Sequence, residues 1–171
     1  MSPRRVSAPA WEETFKGAVL ASEYDAEASM NSHIYVSRFD QATWFLLHAI
    51  GVTPAGMKRQ RRRVAIVREN YQFLRELKGG ELVTVRSGFL AVGAKYIRFL
   101  HQMHDRDGDR LVATCDCTAV FASLRSGKSI PLPPPVKRGA GSRLVTREAA
   151  AARRRGKAVS LAERRRVPAR R

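Results

Sequence analysis

Apolar residues recur at three- and four-residue spacing over one long stretch of this chain: Tyr35, Phe39, Ala42, Leu46 and Ala49 predict a helix across 32–50. Ile34, Phe45, Leu47 and Ile50 widen that stripe until little polar face remains, so the helix calls for burial on nearly every side. Asn31 or Ser32 is placed to cap its first turn, and Gly51 to stop it. Elsewhere the period is two. Segment 11–22 carries Phe15, Val19 and Leu20 among small and polar residues and reads as a first strand. Four more strands follow the helix, at 64–73, 82–92, 95–104 and 111–122, and Gly88 marks an expected bulge or bend. Pro54 opens a short helical turn that runs into an exposed basic connection, Lys58, Arg59, Arg61, Arg62 and Arg63. Asp107-Gly108 signals a hairpin, Ser126-Gly127-Lys128 a further turn, and Pro131 with Pro133-Pro134-Pro135 an extended segment that ends the domain.

The order of these elements narrows the fold. One strand, one long helix and a meander of four antiparallel strands leave no crossover helices for a doubly wound sheet. The economical arrangement is α+β: a curved antiparallel sheet wrapped around one long central helix, the hotdog fold. A chain of 171 residues suffices for one such core.

Charge divides the chain unevenly. Of a formal net charge of +17, the segment 137–171 supplies +11, from 13 Lys or Arg and 2 acids in an Ala-rich background. So few large apolar residues cannot offset the entropy of ordering, so the expectation is a basic tail over 137–171 that is disordered or at most a marginal helix across 146–155, a disordered leader over 1–10 and a folded domain over 11–136. Without interleaved aromatic residues, the tail offers a polyanion nonspecific, salt-sensitive attraction, or serves as a solubilising extension. No apolar run reaches membrane-spanning length, and the leader lacks a hydrophobic region of signal type. Cys115 and Cys117, the two cysteines, lie one residue apart on a strand, point the same way and read as buried thiols, with no metal site. Free thiols suit a reducing cytoplasm. No Gly-rich phosphate loop is present, and no cofactor is called for.

The chemistry is expected where the first strand meets the helix. Asp25 precedes a turn and a helix N-terminus, so a carboxylate lies near free backbone N–H groups and the positive end of the helix dipole. Glu23-Tyr24-Asp25, then Met30-Asn31, then Tyr35, Phe39 and Ala42, resemble the 4-hydroxybenzoyl-CoA thioesterase family, whose usual pattern is Asp-x-Asp-x-x-Gly-His-Met/Val-Asn followed by Tyr and Phe on the helix. The likeness is greatest to the betainyl-CoA thioesterase branch, through Phe73-Leu74-Arg75-Glu76, Gly80-Glu81, His101-Gln102-Met103 and a closing Pro-x-Pro. It spans 11–136 and leaves the tail outside.

The resemblance implies an acyl-CoA thioesterase, with coenzyme A or acyl carrier protein as the thiol carrier, built as a homodimer or homotetramer whose site lies between subunits. Asp25 falls at the family's acid, base toward water or nucleophile on the thioester, and the backbone N–H groups of Asn31, Ser32 and His33 fall where the oxyanion would be held. Asp40, two turns into the helix, is the alternative acid, or else one member of a solvated strip with Ser37 and Trp44. His33 and Tyr35 fall near the acyl group, His33 being equally able to face solvent. Arg62 and Arg98 are cations suited to coenzyme A phosphates. Where the family has Gly-His, this chain has Ala28-Ser29, and Ser29 keeps a hydroxyl. That departure favours a second reading, a hotdog module that binds acyl thioesters without hydrolysing them, which the retained Asp25 opposes.

Overall fold

The computed structural model describes residues 11–145, so the expected leader and the tail from 146 onward lie outside the described residues. Strand β1 (Glu12–Ala18) leads through a single 3₁₀ turn (Ala21–Glu23) to helix α1 (Ser32–His48) and the short helix α2 (Pro54–Arg59). Strands β2 (Arg62–Phe73), β3 (Leu82–Val92), β4 (Tyr96–Asp105), β5 (Leu111–Ser123) and β6 (Ser129–Ile130) follow, and helix α3 (Pro134–Gly141) ends the described chain. The sheet runs β1-β3-β4-β5-β2, every pair antiparallel, with β6 beside β5. One helix against a curved antiparallel sheet is the expected hotdog arrangement.

Its core lies between them. Phe39, Ala42, Leu46 and Leu47 of α1 meet Val85, Phe89, Phe99, Met103 and Phe121, all at 1% exposure or less. Ala113, Cys115, Cys117 and Ala119 alternate along β5 on this inner face, and their small side chains let the helix approach.

The structure corrects several expectations. Helix α1 is not wrapped on nearly every side: Trp44 and Phe45 are 45% and 64% exposed, on a strip that includes Ser37, Asp40 and Gln41. The sheet ends at β2, a strand paired on one side only, so the outer side of the helix is left open. Strand β1 stops at Ala18 because Glu23 captures the Leu20 N–H (2.8 Å) and turns the chain toward the helix. Arg62 and Arg63 belong to β2, not to a connection. The bulge falls between Phe89 and Ala91. Gly88 has another use, since a Cβ there would stand 2.7 Å from the Val145 side chain. Finally, the prolines do not end the domain. Pro134 and Pro135 start α3, where a missing N–H costs nothing, and Val136 and Ala140 are buried in the core. The expected boundary after Val136 therefore falls inside a packed helix.

Candidate active site at the start of helix α1

The turn before α1 is built by its own carboxylate. Asp25 Oδ1 accepts the N–H groups of Glu27 (2.9 Å) and Ser29 (3.0 Å), while its backbone N–H donates to Ser29 O. Both side-chain bonds use one oxygen, and among the described residues Oδ2 has no hydrogen-bond partner in an exposed setting. Ala28 completes the turn at φ +59°, a left-handed conformation that ordinarily favours glycine.

Segment 74–81 holds this turn from the other side. Met30 N–H donates to Leu77 O (2.8 Å), Gly79 N–H to Ala28 O (3.0 Å), and Ser29 and Lys78 form an isolated antiparallel bridge. Gly79 lets Tyr24 lie against the loop, because a Cβ there would stand 2.5 Å from its ring. Lys78 Nζ then reaches Ser29 Oγ (2.5 Å) and Glu27 O (3.4 Å). A carboxylate, a hydroxyl and an ammonium thus meet at one exposed turn.

Beneath it lies a buried ion pair. Arg38, 3% exposed, donates from Nη2 to Glu23 Oε2 (2.5 Å) and Ala18 O (2.6 Å), with its guanidinium 5.5 Å from the Phe15 ring centroid. Burial lowers the Arg38 pKa, and the Glu23 carboxylate works against that shift. The pair fastens the end of the 3₁₀ turn to the helix. Sequence reasoning missed Arg38 as it missed Lys78. A signal existed for the first: an arginine on the apolar stripe between Tyr35 and Phe39 must find a partner. Lys78 stands before a Gly-Gly turn and carries no such signal.

The predicted site residues separate into those this turn gathers and those it does not. Ser29 and Asp25 are together. Ser32 opens α1 and His33 is exposed in its first turn. Asn31 is misassigned as a free donor, since its N–H (2.9 Å) and its side-chain amide (3.2 Å) both go to Glu23 O, and it provides no side-chain cap. Tyr35 is 5% exposed, and its hydroxyl accepts the Leu77 N–H (2.9 Å), so it braces segment 74–81 rather than facing a ligand. Burial raises its pKa, which keeps the phenol neutral. Asp40 is exposed on the open strip, about 12 Å along the helix from Ser32. Arg98 grips Asp116 in a bidentate pair (2.8 and 2.6 Å) on the outer face of the sheet, opposite the side from which His101 meets Phe39.

Arg62 is at the far end of β2, roughly 36 Å from Phe73 along an extended strand. There it lines a groove of about 400 Å³ with Gln60, Arg61, Ser123, Arg125 and Ile130. An aromatic row occupies the near end. Tyr35 meets Phe73 edge-on (5.4 Å), Phe73 stacks with Tyr71 (6.3 Å), and Tyr71 tilts over Phe39 (6.1 Å), with Phe73 40% exposed.

Glu69, Cys115 and Cys117 present donor atoms within 4.8 Å of one another, but both thiols are buried and bonded to each other, with Sγ atoms 3.2 Å apart. That bond and burial push the Cys117 thiol up, against the thiolate a metal would need. Ser87 Oγ lies 2.5 Å from His101 Nδ1, and His101 Nε2 2.9 Å from Thr43 Oγ1. Thr14 Oγ1 stands 2.6 Å from Ser87 Oγ, and Thr43 donates to Phe39 O, which completes a chain of bonds through the core.

Among solved structures, a hypothetical protein of Staphylococcus aureus, in complex with CoA, superposes with a TM-score of 0.74 at 14% identity, covering 80% of this chain and 86% of that one. A 1,4-dihydroxy-2-naphthoyl-CoA thioesterase from Synechocystis gives 0.68 at 15% identity, over 75% of this chain and 95% of its own. A putative thioesterase from Pseudomonas putida KT2440 gives 0.69 at 20% identity, over 94% and 99%. These likenesses establish the fold. No curated protein matches the chain. No helix among the described residues is long and apolar enough to cross a membrane. The pattern of the Thioesterase-like superfamily matches residues 19–139, and the chain belongs to that superfamily.

Proposed function

We propose that this protein hydrolyses acyl-CoA thioesters, with Asp25 as the base. The observation that carries the reading is the division of labour on one carboxylate: Oδ1 is spent on the turn, while Oδ2 stays free at the start of a helix. Water held by Oδ2 attacks the carbonyl carbon and its proton passes to Asp25. The carbonyl oxygen takes the negative charge facing the Ser32 and His33 N–H groups. Collapse breaks the C–S bond, and the departing thiolate recovers the proton, leaving a free acid and coenzyme A. Coenzyme A is the carrier to test first, because a structural relative was solved with it bound. Betainyl-CoA heads the acyl panel: the Tyr71 and Phe73 rings at the end of β2 offer faces to a quaternary ammonium.

The site is completed by a second copy. Strand β2 leaves a twelve-residue edge unpaired, with Val67 59% exposed at its middle. An unpaired edge of that length is ordinarily covered. Two such edges meeting antiparallel across a two-fold axis bring the Arg62 end of one copy to the Phe73 end of the other, setting cations beside a turn rich in acids. Light scattering at micromolar concentration is expected to give a dimer or tetramer; a stable monomer defeats the shared site.

Asp25→Asn tests the chemistry. The amide retains an oxygen for the turn, so folding persists, and kcat falls by about 10²-fold or more. Full activity in Asp25→Asn with loss in Asp40→Asn would move the chemistry to the helix. Thioester binding with no turnover in the unmodified protein would select the binding module instead.

A further inference from the structure

The nearest partner of the Lys78 ammonium is the hydroxyl at the place where the family pattern has histidine. Lys78 Nζ stands 2.5 Å from Ser29 Oγ, against 3.5 Å from Glu76 Oε2 and 3.4 Å from Glu27 O. An ammonium can only donate. Ser29 Oγ is therefore the acceptor, and its own hydrogen is left without an acceptor among the described residues. A hydroxyl that accepts from a cation is a stronger donor in turn.

Placement follows from the same turn. Ser29 N–H donates to Asp25 Oδ1 at 3.0 Å, so Ser29 is held next to the carboxylate whose other oxygen is free. The backbone at Lys78 is held as well, since its neighbours Leu77 and Gly79 are bonded to Met30, Ala28 and the Tyr35 hydroxyl. We propose that the Ser29 hydroxyl is an oxyanion donor in this site and that Lys78 is the positioning residue that aims and polarises it. This rests on the thioesterase reading with Asp25 and adds to it a pair of side chains in place of one histidine. In hydrolysis the Ser29 hydrogen bond strengthens as the carbonyl oxygen gains charge, and Ser29 itself forms no covalent bond.

The experiment is a kinetic cycle on the full chain with the best acyl-CoA of a panel: Ser29→Ala, Lys78→Ala, the double variant, Lys78→Arg and Ser29→His, with Asp25→Asn as marker. Removing an oxyanion donor costs about 10²-fold in kcat, so Ser29→Ala is expected near that, and Lys78→Ala near 10-fold, with KM and melting temperature unchanged. The double variant should be no slower than Ser29→Ala, because Lys78 acts only through Ser29. Lys78→Arg should recover part of the loss, and Ser29→His should have the same kcat with and without an added Lys78→Ala change. Additive losses, or a change in KM alone, would overturn the proposal, as would a lower melting temperature at full kcat. Should Lys78→Ala fold poorly, Ser29→Ala decides, since full kcat there also overturns it. Full kcat in all of these with Asp25→Asn inactive would remove the pair and keep the thioesterase reading; no acyl-CoA turnover by the unmodified protein would remove both.

Discussion

Ser87 with His101, and Asp25 with Ser29, are two clusters of side chains of the kind hydrolases use, and they differ in almost every respect that matters. By residue type the first is the more persuasive. Its hydroxyl and imidazole stand 2.5 Å apart, with Thr14 and Thr43 extending the chain on either side. Yet both residues are at 0% exposure under α1, and burial pulls the His101 pKa down to about 3. A neutral imidazole walled in by Phe39 and Phe99 satisfies hydroxyls in the core and meets no substrate. The second cluster has no histidine, but it sits in the open at the start of the helix, with a free carboxylate oxygen and an ammonium against its hydroxyl. Access and a vacant lone pair are what the proposed site has and the buried cluster lacks, whatever the residue types.

The buried cluster gives the sharper way to break this comparison. His101→Leu keeps the volume filled but removes the partner of Ser87 and Thr43, and should lower stability by about 2 kcal/mol at neutral pH, with kcat of the folded protein unaltered. The pH dependence has a definite sign. His101 titrates near 6.5 when unfolded and near 3 when folded, so between those values the unfolded chain binds the proton that the folded chain refuses. Its contribution is complete above pH 6.5 and drains as pH falls toward 3, to a total of roughly 5 kcal/mol, a slope that His101→Leu should lack. Urea melts of both proteins at several pH values read the difference. A His101→Leu protein that folds but hydrolyses nothing would make the core cluster the chemical centre.

How much of this was legible follows the same division between pattern and partner. Helix α1 and the later strands were readable within a few residues because their periods of 3.6 and two record burial on one side. The fold followed from their order. What periodicity cannot show is the partner of a polar group. The apolar count around α1 implied burial on all sides, although Trp44 and Phe45 face outward where the sheet stops at β2. Tyr35 and Asn31 were legible as positions, but their bonds go to Leu77, 42 residues on, and to Glu23, back across the turn before the helix, and periodicity records neither. Lys78 belongs with Ser29 across 49 residues for the same reason. The prolines at the start of α3 misled because proline both ends extended segments and starts helices, and only the burial of Val136 and Ala140 decides which.

The smallest predicted effect concerns the exposed cluster and asks whether its hydrogen bonds hold it against strain. Ala28 adopts φ +59°, where a Cβ crowds the following carbonyl at a cost of about 1 kcal/mol or somewhat more. Ala28→Gly relieves that cost, while the added freedom of glycine in the unfolded chain takes back about half of it. A net stabilisation of about 0.5 kcal/mol is expected, visible as a rise of about one or two degrees in melting temperature. The turn should remain shut, because Asp25 Oδ1 and Gly79 N–H grip it on both sides of position 28. Turnover should then change by less than about twofold, since nothing that touches the thioester has moved. A large loss of kcat with a higher melting temperature would mean that the Ala28 Cβ itself restricts the turn, and that the Asp25 and Lys78 bonds do not by themselves hold Ser29 in place.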